Sequence, residues 1–194
     1  MGNRKVAILL SGRGSNFVAI YEAIQRGDLK AEICCVISNV AEAEGLRRAK
    51  EFGLTTVCLP SKGIDRAKYD RMLVDALRQF DAALVCLAGF MRILSPEFLS
   101  EYPSRVLNIH PALLPSFPGL HAQRQALNYG VKVSGCTVHI ADEGVDTGPI
   151  LLQKAVEVLE NDTEDTLSAR ILEQEHQIYW QAIALMLEKI NAGH

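Results

Sequence analysis

Five short runs of nearly unbroken apolar residues constrain this chain more than any other feature. They are KVAILL at 5–10, EICCVIS at 32–38, TTVCL at 55–59, AALVCLA at 82–88 and VLNIH at 106–110. A strand with one wet face alternates apolar and polar residues. These runs do not alternate, so each is expected to be buried on both faces, as in a parallel sheet covered by helices. The segments between them are long enough for the crossovers that parallel pairing requires.

Those segments carry helical spacing. Phe17, Ile20, Ala23 and Ile24 fall on one side of a helix from Ser15 to Arg26, closed by Gly27. AEGLRRAKEF at 43–52 is a helix stopped by Gly53, and Asp65 to Phe80 places Tyr69, Leu73, Leu77 and Phe80 on one side. Ser95-Pro96 opens a short helix, with serine as N-cap and proline in the first turn. Two further strands, 134–141 and 150–158, flank the turn DEGVDTGP, and Asp162 is expected to cap a last helix from Glu164 to about Ile190. The expectation is one α/β domain over 1–194. It is doubly wound, with a mostly parallel, Rossmann-like sheet of about seven strands and helices on both faces.

Composition excludes several classes. The net charge of −3 argues against a nucleic-acid partner, and Arg47, Arg48 and Lys50 are offset by Glu42, Glu44 and Glu51. No apolar run is long enough to span a bilayer. The five cysteines form no C-x-x-C and sit mostly in apolar runs, which reads as reduced, buried thiols in a cytoplasmic protein. No metal-ligand spacing is present, so no metal is expected.

SGRGSN at 11–16 joins the first strand to its helix. Two glycines allow a tight turn, and free N–H groups at a helix start favour a phosphate. A dinucleotide fingerprint would need glycine where Phe17 stands. It would also need an acid at the end of the second strand, which instead reads Ser38-Asn39. A tight turn without a ligand remains the bland reading.

Asn108 and His110 lie two apart on a strand, so their side chains share one face. An amide donor and an imidazole suit a carbonyl carbon under attack, one holding the oxyanion and the other donating or moving a proton. Asp142, Glu143 and Asp146 in the following turn are candidate partners for the histidine. His139, in an apolar strand, reads as a core histidine, and Glu175-His176 as exposed mid-helix residues.

SGRGSN, LAGFMRILSP (87–96), NIHPALLPSFPGLHA (108–122) and GCTVH…DTGPIL (135–151) together resemble the phosphoribosylglycinamide formyltransferase family. The resemblance covers nearly the whole chain. It implies small-molecule substrates: the formyl group of 10-formyltetrahydrofolate would pass to the amine of 5-phosphoribosylglycinamide in purine biosynthesis. By match to the family's motifs, Asn108, His110 and Asp146 are catalytic, and Gly14, Ser15, Asn16 and Glu175 bind the ribonucleotide. Arg66, Met91, Arg92, Ile93, Leu94, Asn108, Ile140, Ala141, Asp142, Glu143, Gly144 and Val145 bind folate. The half to about residue 100 would then hold the ribonucleotide phosphate, and the half from about 101 would hold the catalytic groups and folate. The family also implies a cis Leu114-Pro115 bond and either a monomer or a homodimer. Methionyl-tRNA formyltransferase and formyltetrahydrofolate hydrolase share the N-x-H…D pattern but carry additional domains, for which this chain is expected to have no room. A regulatory module that kept the fold without the chemistry is the non-enzyme alternative.

Overall fold

A computed structural model describes residues 2–193. The strands are β1 (Lys5–Leu10), β2 (Glu32–Ser38), β3 (Thr56–Cys58), β4 (Leu84–Leu87), β5 (Val106–His110), β6 (Val133–Ile140) and β7 (Ile150–Glu157). The helices are α1 (Ser15–Arg26), α2 (Glu44–Glu51), α3 (Arg66–Arg78), α4 (Pro96–Glu101), α5 (Ala122–Tyr129) and α6 (Glu164–Asn191). They build a seven-stranded sheet in the order β3-β2-β1-β4-β5-β6-β7. β1 to β5 pair in parallel; β6 pairs antiparallel with both β5 and β7.

The apolar runs behave as expected of doubly covered strands. Val6, Ile8 and Leu10 enter a core with Phe17, Ile20, Leu46 and the inner face of α6. Ala7 and Leu9, the alternate residues, enter a second core with Tyr69, Leu73, Leu77 and Phe98 from α3 and α4. Phe17 is fully buried. Its place in the loop-to-helix junction therefore serves packing, and its truncation to alanine would cost about 3–5 kcal/mol.

Local sequence sets the helix boundaries. Gly27 takes a φ of 83° and closes α1, and the Ser95 hydroxyl accepts from Phe98 N to start α4. The start of α6 differs from expectation. Thr163, not Asp162, is the N-cap: its hydroxyl accepts from Thr166 N at 3.2 Å, while Thr166 Oγ1 accepts from Thr163 N at 2.9 Å. This reciprocal box satisfies two backbone donors. Asp162 is instead held by Arg170, whose two terminal nitrogens donate to it at 2.8 and 2.9 Å. That bidentate contact keeps its carboxyl well below the ordinary range.

Tyr179, fully buried in α6, donates its hydroxyl between Leu87 O at 2.8 Å and Leu107 O at 3.2 Å. The last helix thus clamps β4 to β5, the two strands that carry the residues described next. All five cysteines are free. Cys35, Cys86 and Cys136 are buried, in line with mostly buried thiols, whereas Cys58 is exposed on β3, a short edge strand.

Candidate active site

The sheet's order reverses between β1 and β4, and an open parallel sheet forms its crevice at such a switch point. A cleft of about 650 Å³ lies beside it, lined by residues from β4, β5 and β6 and the chain that follows each. Leu87, Phe90, Ile93, Leu94 and Val145 give it apolar walls; Asn108, His110, His139 and Asp146 give it polar ones. An apolar cleft with a few convergent polar groups is the usual form of a small-molecule site.

β5 presents Asn108 and His110 together, as their spacing requires. Asp146 meets both. Its Oδ2 lies 3.1 Å from His110 Nδ1 and accepts from Gly119 N at 2.8 Å. Its Oδ1 accepts from Asn108 Nδ2 at 3.3 Å. The second ring nitrogen of His110 lies 2.8 Å from Phe117 O. Both nitrogens thus face oxygen acceptors, and only the imidazolium has a hydrogen for each. Burial pushes the Asp146 carboxyl up. Hydrogen bonds from His139 and Gly119 N, with the charges of His110 and His139, outweigh burial and leave it below the ordinary value.

Two segments hold this arrangement. Between β5 and α5, the buried Thr137 hydroxyl donates to Ala112 O at 2.7 Å and accepts from Leu114 N and Gln153 Nε2 at 3.0 Å each. Gln153 also donates to Leu114 O at 2.8 Å. The proline-rich chain is therefore pinned to β6 and β7, and the Leu114-Pro115 bond is cis. Pinned there, it supplies Phe117 O to the histidine and Gly119 N to the carboxylate.

The second segment is the β6–β7 turn. It leaves β6 beside the amino end of β5, where Ala141 N donates to Val106 O at 2.8 Å. Asp146 nevertheless reaches His110 at the other end, so the turn folds back along β5. Asp146 itself takes a φ of 57°, a left-handed conformation rare for a residue with a side chain. At Gly148 an added Cβ would lie 1.8 Å from Ile140 O, so only glycine fits without a shift. Asp142 steadies the turn by accepting from Gly144 N at 3.1 Å and Thr147 Oγ1 at 2.7 Å.

His139 corrects the sequence reading. It is buried, as a core histidine would be, but it lines the cleft. Its Nε2 lies 3.1 Å from Asn108 Nδ2 and 3.5 Å from Asp146 Oδ1, and its Nδ1 lies 3.1 Å from Ile140 O. The antiparallel register, which sets Asn108 opposite His139, causes this. Periodicity within one strand carries no information about that pairing.

The other expected positions divide into two groups. Met91, Arg92, Ile93, Leu94, Ala141, Asp142, Gly144 and Val145 line the cleft. Glu143 is exposed on the turn, and Ile140 ends β6 with its N–H on Pro149 O. Neither lines the cleft among the residues that do. Arg66 donates to Leu94 O and so supports the rim. Arg92 turns inward, its guanidinium 4.4 Å from the centre of the Tyr69 ring.

Gly14, Ser15, Asn16 and Glu175 form the second group. Gly14 is the left-handed N-cap of α1, with a φ of 70°. Asn16 Nδ2 donates to Glu175 Oε2 at 2.8 Å, joining the first helix to the last. Glu175 is buried rather than exposed, and burial pushes its carboxyl up to about 7 despite the Asn16 bond. Asn16 Oδ1 is buried without a partner.

The formyl transferase family model matches residues 4–183. Phosphoribosylglycinamide formyltransferase of Escherichia coli is 46% identical over 175 residues, covering 90% of this chain and 82% of that one. The trifunctional purine biosynthetic protein adenosine-3 of Drosophila pseudoobscura pseudoobscura is 48% identical over 94% of this chain, which spans only 14% of that protein's length. The crystal structure of glycinamide ribonucleotide transformylase 1 from Symbiobacterium toebii superposes with a TM-score of 0.93 at 47% identity, covering 96% of this chain and 89% of that one. By sequence, fold and cleft, the chain belongs to the formyl transferase family, among the phosphoribosylglycinamide formyltransferases.

Proposed function

We propose that this chain transfers the formyl group of 10-formyltetrahydrofolate to the amine of 5-phosphoribosylglycinamide, yielding formylglycinamide ribonucleotide and tetrahydrofolate. The observation that carries this reading is Asp146 bridging Asn108 and His110 at the wall of an apolar cleft. The apolar walls suit the flat pterin ring, with the Met91–Leu94 ledge on one side and the 141–146 turn on the other. The α1 loop, with Gly14, Ser15 and Asn16, suits the ribonucleotide phosphate, and Glu175 shapes that end of the site.

The amine nitrogen attacks the formyl carbon. A carbon–nitrogen bond forms, and the carbonyl electron pair moves to oxygen. Asn108 donates to that oxyanion. His110, with Nδ1 committed to Asp146, offers its Nε2 hydrogen, exchanging the Phe117 carbonyl for the developing charge. The proton lost by the amine is passed to the folate nitrogen, the oxyanion's electron pair re-forms the carbonyl, and the bond between formyl carbon and folate nitrogen breaks, its electron pair leaving with the folate nitrogen. A preorganised oxyanion donor is worth about 10²–10³ in rate. One domain carries all of these groups, in a monomer or homodimer working in the cytoplasm; no helix of the described residues is long and apolar enough to cross a membrane.

The test is deformylation of 10-formyltetrahydrofolate by the purified protein, with and without the ribonucleotide. Loss of the formyl group only when the ribonucleotide is present supports transfer. Equal loss without it would make water the acceptor and remove the phosphate role of SGRGSN.

A further inference from the structure

Ser11 sits at the switch point, between the cleft and the phosphate loop, and touches both. Its N–H donates to Gly89 O at 3.0 Å. Its hydroxyl oxygen accepts from Met91 N at 2.8 Å and donates its one hydrogen to Asn39 Oδ1 at 2.6 Å. Asn39 Nδ2 then donates to Ser61 Oγ at 3.1 Å, and Ser61 N returns to Asn39 O at 3.3 Å. The amide group of Asn39 fixes the direction of the whole chain of bonds, because its nitrogen is used on Ser61 and only its oxygen remains for Ser11. Asn39 thus fills the place where a dinucleotide site would carry an acid.

These bonds tie together segments that follow β1, β2, β3 and β4. On one side stands the ledge: Gly89 and Met91 line the cleft, and Ser11 itself does not. On the other side, within the same short loop, stand Gly14, Ser15 and Asn16. Gly45 N also donates to Gly12 O at 3.0 Å, so the loop is anchored immediately beyond Ser11. Ser11 is the residue through which the ledge and the phosphate loop are bonded directly.

We infer that Ser11 is a positioning residue that sets the separation between the formyl donor on the ledge and the amine of the ribonucleotide held by the loop. The inference rests on the activity proposed above. Each substrate retains its own contacts when the Ser11 hydroxyl is removed. What changes is the relative placement of the two reacting atoms, and a displacement near 1 Å can cost about 10²-fold in rate. Removal of the hydroxyl leaves Met91 N without its acceptor and Asn39 Oδ1 without its donor; the backbone bond from Ser11 N to Gly89 O remains, so it is the Met91 end of the ledge that is released from the loop.

The experiment compares wild type with Ser11→Ala. Turnover is measured with both substrates saturating. Binding of tetrahydrofolate alone and of phosphoribosylglycinamide alone is measured by calorimetry. The expected result is a fall in kcat of about tenfold or more, with each dissociation constant within about threefold of wild type. Unchanged kcat would overturn the inference. So would a tenfold weakening of either ligand by itself, since Ser11 would then belong to one site rather than to the span between them. If Ser11→Ala melts below the assay temperature, Ser11→Cys keeps the side chain's size with a much weaker acceptor and is read by the same criteria. A wild type lacking ribonucleotide-dependent transfer would overturn the proposed activity and this inference with it. An active wild type with an indifferent Ser11→Ala overturns the inference alone.

Discussion

Asp146 stands 3.1 Å from the Nδ1 of His110, yet it arrives from a turn that leaves the sheet at the opposite end of β5. The pairing therefore depends on the turn's shape as much as on either side chain. Its partly buried carboxylate also accepts from Asn108 and Gly119 N, so one group orients the amide, the imidazole and the proline-rich chain together.

Replacing His110 by alanine removes a proposed donor to the oxyanion and leaves the α1 loop untouched. Turnover is expected to fall by about 10²–10³-fold. Ribonucleotide affinity is expected to stay within a few-fold. Steady-state kinetics with calorimetry of the ribonucleotide alone checks both; normal turnover would remove His110 from the reaction.

Asp146→Asn keeps the shape and removes the charge. Activity at neutral pH is expected to drop by about 10²-fold or more. The stability effect has a definite sign. The carboxyl lies lower in the folded protein than in the unfolded one, so it stabilises above the ordinary aspartate value of about 3.9, and that stability is lost as pH falls through the lower folded value. The gap in unfolding free energy between wild type and variant should therefore narrow below about pH 4. A gap that is constant with pH would contradict the pairing.

Glu175 works in the opposite sense. Burial raises its carboxyl to about 7, above the unfolded value. The folded protein binds the extra proton between the two values, so stability is full below about pH 4.3 and declines as pH rises through about 7. Glu175→Gln keeps an acceptor for Asn16 and removes the titration. Denaturant unfolding at pH 5 and pH 8 should show wild type losing on the order of 3 kcal/mol between them, and the variant losing little.

Gly148→Ala places a methyl group against the Ile140 carbonyl and forces the turn to move. Asp146 lies two residues away. Turnover is expected to fall about 10²-fold while ribonucleotide affinity and the far-ultraviolet spectrum stay near wild type. An undiminished kcat would show that the turn tolerates the shift.

Much of the fold was legible because strands buried on both faces need unbroken apolar runs. β1, β2 and β5 fall on the residues expected, and Gly27 and Ser95 bound their helices through local chemistry. Asn108 and His110 were legible as a pair because two-residue spacing fixes a shared face. Asp146 stood among three acids, and nothing local singles it out: its role comes from a turn that folds back over β5. His139 is buried as its strand implies, but its place in the cleft was not legible, because its partner lies across a strand pair whose register no single run contains. Glu175 looked exposed because α6 packs on the sheet and on α1 along a face wider than its periodicity suggests. Thr163 displaced Asp162 as the cap because Arg170, about two turns further on, engages the aspartate.

The Tyr179 bond has a consequence for the order of events during synthesis. Its hydroxyl closes β4 against β5 from the last helix, after Asn108, His110 and Asp146 have already been made. On the ribosome the parallel strands, the histidine and the aspartate all emerge before the helix that, with α1 and α2, covers one side of their sheet. A nascent chain that stops short of α6 presents an uncovered apolar face, the kind of surface that chaperones recognise. Docking of the last helix is therefore the late step that adds the Tyr179 tie between β4 and β5 and covers what remains of that apolar face.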